Sequence, residues 1–179
     1  MHLIHESIAL IEPYLRHYGV AALFVIVYLE SLGAPLPGES AVIGASLLAS
    51  GGQLPIEGVF LAVFIGAVLG DNTGYAIGRY GGRTVIERYG RYIGLNDQRR
   101  EWIEGLYARR GTAVVVGARF VVILRQLNGI VAGMMAMGWR PFLLANMVGA
   151  LLWTSVWTAA PFVFGDFFAE HFHDASLHR

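Results

Sequence analysis

The chain has 179 residues, 55% hydrophobic and only 15% charged, with mean hydropathy +0.53. Soluble domains carry about 25% charged residues, so the composition is that of a polytopic membrane protein, and the length suits a single domain. A formal net charge of zero gives no field to attract nucleic acid, and the absence of cysteine excludes disulfides, thiol nucleophiles and cysteine-ligated metals.

Residues 1–18 (MHLIHESIALIEPYLRHY) lack the basic start of a cleavable signal. With Ile4, Ile8 and Ile11 on one side, they are expected to form an amphipathic interfacial segment. The membrane domain is expected over 19–165. Its first block, 19–34, runs into a second, 35–52, that opens with PLPG and closes with GG. A plain membrane helix needs about 20 apolar residues, so this short block reads as a re-entrant hairpin. Non-helical backbone at membrane depth must be buried in protein or line a watery cavity, so the break predicts a cavity.

The third block, 55–78, is long enough to span. Gly66, Gly70, Gly74 and Gly78 recur every four residues in it, a small-residue stripe that predicts a packing seam. Asp71 lies beside the stripe. The segment 79–110 then holds eight of the thirteen basic residues, all of them arginine (Arg79, Arg83, Arg88, Arg91, Arg99, Arg100, Arg109 and Arg110). By the positive-inside rule this loop is cytoplasmic, with anionic headgroups as a secondary partner.

Block 111–138 repeats the character of the first hairpin: apolar and dotted with glycine, with Arg119 and Arg125 near its centre. Block 140–165 spans, with Asn146, Gly149, Trp153 and Trp157 on one inward face and Trp139 and Trp102 as interfacial anchors. Residues 166–179 form a polar tail. The fold class is therefore all-α: two opposed re-entrant hairpins, each followed by a spanning helix, as in inverted-repeat transporters.

Charges inside a bilayer are costly, so they pair, face water or do work. Glu30, Glu39, Arg119 and Arg125 all stand in apolar surroundings. The simplest resolution sets acids against bases across a hydrated cavity, with Pro35, Pro37 and Gly38 folding the first hairpin so that both carboxylates aim inward. The plainer reading is ion pairs that lock the hairpins together. The functional reading gives Arg119 and Arg125 a phosphate, whose oxygens suit the guanidinium fork. Glu30, Glu39 and Asp71 then carry protons, because a carboxyl withdrawn from water binds its proton more readily.

Three stretches, ESLGAPLPGES, FIGAVLGDNTGYAIGRYGG and ARFVVILRQLNGIVAGMMAMGWRPFLLANMVGALLW, together resemble the DedA family, which shares its core with VTT-domain (SNARE-associated) lipid scramblases. The resemblance covers roughly 20–165. It implies a multi-pass protein of the bacterial inner membrane that moves phosphorylated polyprenyl carriers or phospholipids between leaflets and supports envelope integrity. The family's acidic pair falls on Glu30 and Glu39, its arginine pair on Arg119 and Arg125, and its glycine–aspartate on Gly70 and Asp71. Pro35, Pro37, Gly38, Asn128, Asn146 and Trp153 are set beside them as supporting residues. Two departures stand out. Many members have proline between the two arginines, where this chain has Val121, Val122 and Ile123. Many also continue into a further helix, whose place a second copy of the chain or lipid would take.

The reading is thus a transporter or flippase of phosphorylated lipid, with protons and membrane lipids as partners and no cofactor. Two others compete: a proton or cation antiporter or channel working through the carboxylates, and a non-transporting assembly factor. An enzyme is disfavoured. All six histidines (His2, His5, His17, His171, His173 and His178) lie near the termini, so none can serve a core serine as base or join the core acids around a metal.

Overall fold

The computed structural model describes residues 18–89 and 97–176. Its described residues form six helices and no strand: α1 (Val20–Leu32), α2 (Gly38–Ser50), α3 (Ile56–Tyr89), α4 (Asp97–Ala118), α5 (Val122–Met134) and α6 (Trp139–Ser176). The all-α class holds. The interfacial segment expected over 1–18 lies almost wholly outside the described residues.

Helices α1, α2 and α5 have 13 residues each. At 1.5 Å per residue that is about 20 Å, short of the roughly 30 Å hydrocarbon core of a bilayer. Only Ile56–Gly82 and Trp139–Gly165, 27 residues each, are long and apolar enough to cross. The element order is similar in both halves: a helix (13 residues in α1, 22 in α4), a break, a 13-residue helix, then a long one.

The first break has a local cause. Gly33 caps α1 at φ 117°, a left-handed conformation that costs a side-chain-bearing residue energy. Pro35 and Pro37 then lack the N–H that a continuing helix would need, and α2 starts directly after them. The chain doubles back. A Cβ on Gly58 would sit 3.3 Å from Val20 Cγ1 and 3.1 Å from Pro55 Cγ, so the start of α1 and the exit of α2 lie side by side. Block 35–52 itself is unbroken from Gly38 to Ser50; the reversal falls between the first two blocks.

The second reversal needs no proline. Helix α4 bends at Arg110 (φ −136°, ψ 20°) and ends at Ala118. Arg119, Phe120 and Val121 then turn on backbone bonds to Val116, Gly117 and Ala118, and Val121 is extended (φ −117°, ψ 117°). The chain again doubles back, since a Cβ on Gly111 would lie 3.1 Å from Met137 Sδ. The 79–110 segment is not a loop where it is described. Helix α3 runs on to Tyr89 and α4 begins at Asp97.

Two apolar cores form. One joins Leu23 and Val27 of α1 and Ala41, Val42 and Ala45 of α2 to Val59 and Val63 of α3 and Trp153 of α6. The other joins Val115 of α4 and Ala132 of α5 to Tyr75 of α3 and Phe142 of α6. The early half of α3 thus packs with the late half of α6 and the reverse, which makes the two long helices antiparallel. Leu61, Ile65, Leu69, Leu144, Val148, Leu152 and Val156 point outward and are exposed. An apolar outer belt around both long helices is the surface expected against lipid.

The glycine stripe is a packing seam. A Cβ on Gly66 would meet Phe24 O at 2.9 Å, and one on Gly70 would meet Ser31 Cβ at 2.7 Å, both on α1. Gly74 and Gly78 lie against Ile130 of α5. Helix α5 answers with Gly129, whose Cβ would stand 2.9 Å from the carbonyl carbon of Asp71. Gly129→Ala therefore forces α5 off α3 and should cost about 1–3 kcal/mol, as overpacking does. Gly117→Ala, with open space around it, should cost nothing. Unfolding in mixed micelles with increasing SDS compares them; equal stability of the two variants would contradict the seam.

Candidate functional site

Between the two cores, near the middle of the long helices, lie five charged side chains. Asp71 follows Ala67 of the first core and precedes Tyr75 of the second. They form two groups. In the first, Arg125 of α5 donates from one terminal nitrogen to Glu30 Oε1 of α1 at 2.7 Å and from the other to Glu39 Oε1 of α2 at 2.9 Å. Its guanidinium lies 4.6 Å from the centroid of the Trp153 ring of α6, a cation–π contact. Four helices thus meet on one arginine. The side chains of Arg125 and Glu30 are buried at 3% and 5% exposure, whereas that of Glu39 is 31% exposed. Glu39 is the most exposed carboxylate of the set.

In the second group Arg119, in the turn between α4 and α5, donates to Asp71 of α3 and to Asn146 Oδ1 of α6. The Asn146 amide is oriented by its own donation to Val68 O at 3.2 Å. All three residues are buried. Arg119 Nε, its other terminal nitrogen and Asp71 Oδ1 have no protein partner. A buried donor without a partner is costly, and here two belong to one guanidinium. The groups are neighbours, for Arg125 and Glu30 both act on the charge at Asp71.

Two glycines make room. A Cβ on Gly38 would stand 3.3 Å from Glu30 Oε1 and closer still to the rest of that carboxylate. One on Gly149 would stand 3.2 Å from Arg119 Cδ. Pro35 and Pro37 are exposed at the break. Asn128 is buried and donates to Val115 O at 3.0 Å, tying α5 to α4.

The expected opposition of acids and bases is therefore a set of direct contacts. The described cavities lie elsewhere, and the hydrated cavity expected between the charges is not among them. Arg119 is answered by Asp71 rather than by a glutamate. The face of Asn146, Gly149, Trp153 and Trp157 does pack inward, the two indoles 6.3 Å apart. Sequence reasoning missed Thr154 and Thr158, buried hydroxyls without a partner on α6, and Gln126, whose side chain faces Glu30. Polar residues inside an apolar span were the signal for the threonines. No group of histidine, aspartate and glutamate among the described residues could hold a metal.

Comparison with known proteins brings this geometry into a family context. A VTT-domain profile matches residues 36–161. Protein DedA of Escherichia coli (strain K12) is 33% identical over 174 residues, covering 91% of this chain and 77% of that protein. A membrane protein of Synechocystis is 33% identical over 159 residues, covering 89% and 73%. Undecaprenyl phosphate transporter A of Bacillus subtilis (strain 168) is 26% identical over 144 residues, covering 80% and 71%. No solved structure matches.

Proposed function

Since the chain belongs to the DedA family of VTT-domain membrane proteins, we propose that it moves a phosphorylated lipid, a polyprenyl phosphate or a phospholipid, between the leaflets of the bacterial inner membrane. The α1–α2 and α4–α5 pairs act as opposed re-entrant hairpins in an inverted repeat, and the arginine-rich segment faces the cytoplasm. The observation that carries the reading is the pair of unspent donors on buried Arg119 next to an Arg125 held by two carboxylates. Phosphate oxygens satisfy such donors. A relative bearing the name of an undecaprenyl phosphate transporter agrees with this chemistry.

The charge count favours proton coupling. Three carboxylates (Glu30, Glu39 and Asp71) face two guanidiniums, so one proton neutralises the set. Arg125 sits between two of these carboxylates. A proton taken up by the set frees Arg125 for a phosphate; a proton lost leaves the carboxylates competing for the same nitrogens. Binding of the phosphorylated lipid should therefore tighten as pH falls from 9 to 5. A flat curve across that range would remove the proton role and leave the arginine role standing.

Transfer in proteoliposomes tests the function itself. A short-chain polyprenyl phosphate should cross, and the matching alcohol should not. Current carried by protons or cations without lipid movement would point to the ion-carrier reading that the carboxylates also support. Release of inorganic phosphate would point to an enzyme.

A further inference from the structure

A groove of about 670 Å³ runs along α3 beside the start of α6, on the outside of the bundle and away from the two charge groups. Its α3 wall extends from Val68 to Tyr80, about 18 Å along the helix. That is close to the depth of one leaflet's hydrocarbon, half of roughly 30 Å. At the deep end the α3 wall is Val68 and Leu69, and Ala76 and Leu143 add further apolar surface. The polar groups midway are already satisfied from within. Asn72 accepts from the Trp139 indole at 3.2 Å and donates to Val68 O at 2.7 Å, and the Tyr75 hydroxyl donates to Met137 O. At the other end stands Arg79, exposed and with no carboxylate partner among the described residues. Exposed Tyr80 follows it in the chain, a residue type that gathers at the headgroup level of a bilayer.

An apolar trough one leaflet deep, with a single free cation among its described lining residues and an aromatic ring at its rim, has the charge and polarity profile of a lipid molecule. We infer that this groove holds one acyl chain of a resident anionic phospholipid, its phosphate on Arg79, in the leaflet on which the arginine-rich segment lies. The site is separate from the transport reading and does not depend on it. Arg79 is the first arginine of that segment.

The test is lipid retention by the full chain in mild detergent, read by native mass spectrometry while phosphatidylglycerol or phosphatidylcholine is titrated. Phosphatidylglycerol should be retained about fivefold more tightly, the worth of one arginine at an anionic surface. Arg79→Gln, at an exposed position, should erase that preference and leave phosphatidylcholine unchanged. Ala76→Trp, which fills the trough, should lower retention of both while the melting temperature stays that of wild type. Equal retention of the two lipids by wild type, or an unchanged preference in Arg79→Gln, overturns the proposal. So does a chain that excludes both lipids because a second copy covers the groove.

Discussion

Asp71→Ala should be the most destabilising single substitution in the protein, at about 3–5 kcal/mol, the cost of leaving a buried partner charge unpaired. Asp71 and Arg119 are almost fully shielded from solvent, each side chain at 1% exposure. Removing the carboxylate strands a guanidinium that already has two nitrogens without a partner. Asn146 then remains as its one neutral acceptor. Asp71→Asn keeps the shape and should cost less. Replacing the pair together, Asp71→Leu with Arg119→Met, should recover much of the loss, because a buried ion pair exchanged for apolar groups of similar volume is often neutral. SDS-induced unfolding of the four proteins makes the double-mutant cycle. Additive losses in the double variant would mean that the two side chains do not act as a pair.

Arg125→Gln should cut transfer of a polyprenyl phosphate by about 30-fold or more, the fold-change for roughly 2 kcal/mol lost with one charge-assisted contact. The variant retains an amide that can donate to Glu30 or Glu39, so it separates charge from shape. Arg125→Lys should recover part of the rate. It restores the charge over the Trp153 ring but not the planar fork that reaches two carboxylates at 2.7 and 2.9 Å. Folding of each variant is checked by its melting temperature in detergent. If Arg125 serves only to lock α1, α2 and α5 together, its variants lose stability and transfer in step, and Lys rescues both equally.

How far the fold could be read in the chain depended on the kind of signal. Composition and the two long apolar runs gave the class and the spans, because hydrophobic length is written directly in residue type. The first break was legible because Gly33, Pro35 and Pro37 enforce it locally. The second was expected from the apolar, glycine-dotted character of 111–138, but nothing local marks its place, for Arg119–Val121 holds no helix breaker and Arg119 is held by Asp71 of α3 and Asn146 of α6. The glycine stripe announced the seam on α3. The answering glycine on α5, Gly129, took its meaning only from its position opposite Asp71. The buried charges were visible as charges in apolar runs, yet their pairing was not. Arg119 lies 48 positions from Asp71, and no local pattern says which acid a given arginine will find. The helices over 79–89 and 97–110 were hidden because a polar stretch reads as a loop until flanking helices are seen to extend into it.

Whether the buried arginines receive a lipid phosphate is decided by transfer of a short-chain polyprenyl phosphate and of the matching alcohol in proteoliposomes, with wild type and Arg125→Gln side by side. The expected result is transfer of the phosphate by wild type alone, with the alcohol left behind and the variant folded but slow. Equal movement of phosphate and alcohol, or full activity in folded Arg125→Gln, would contradict it.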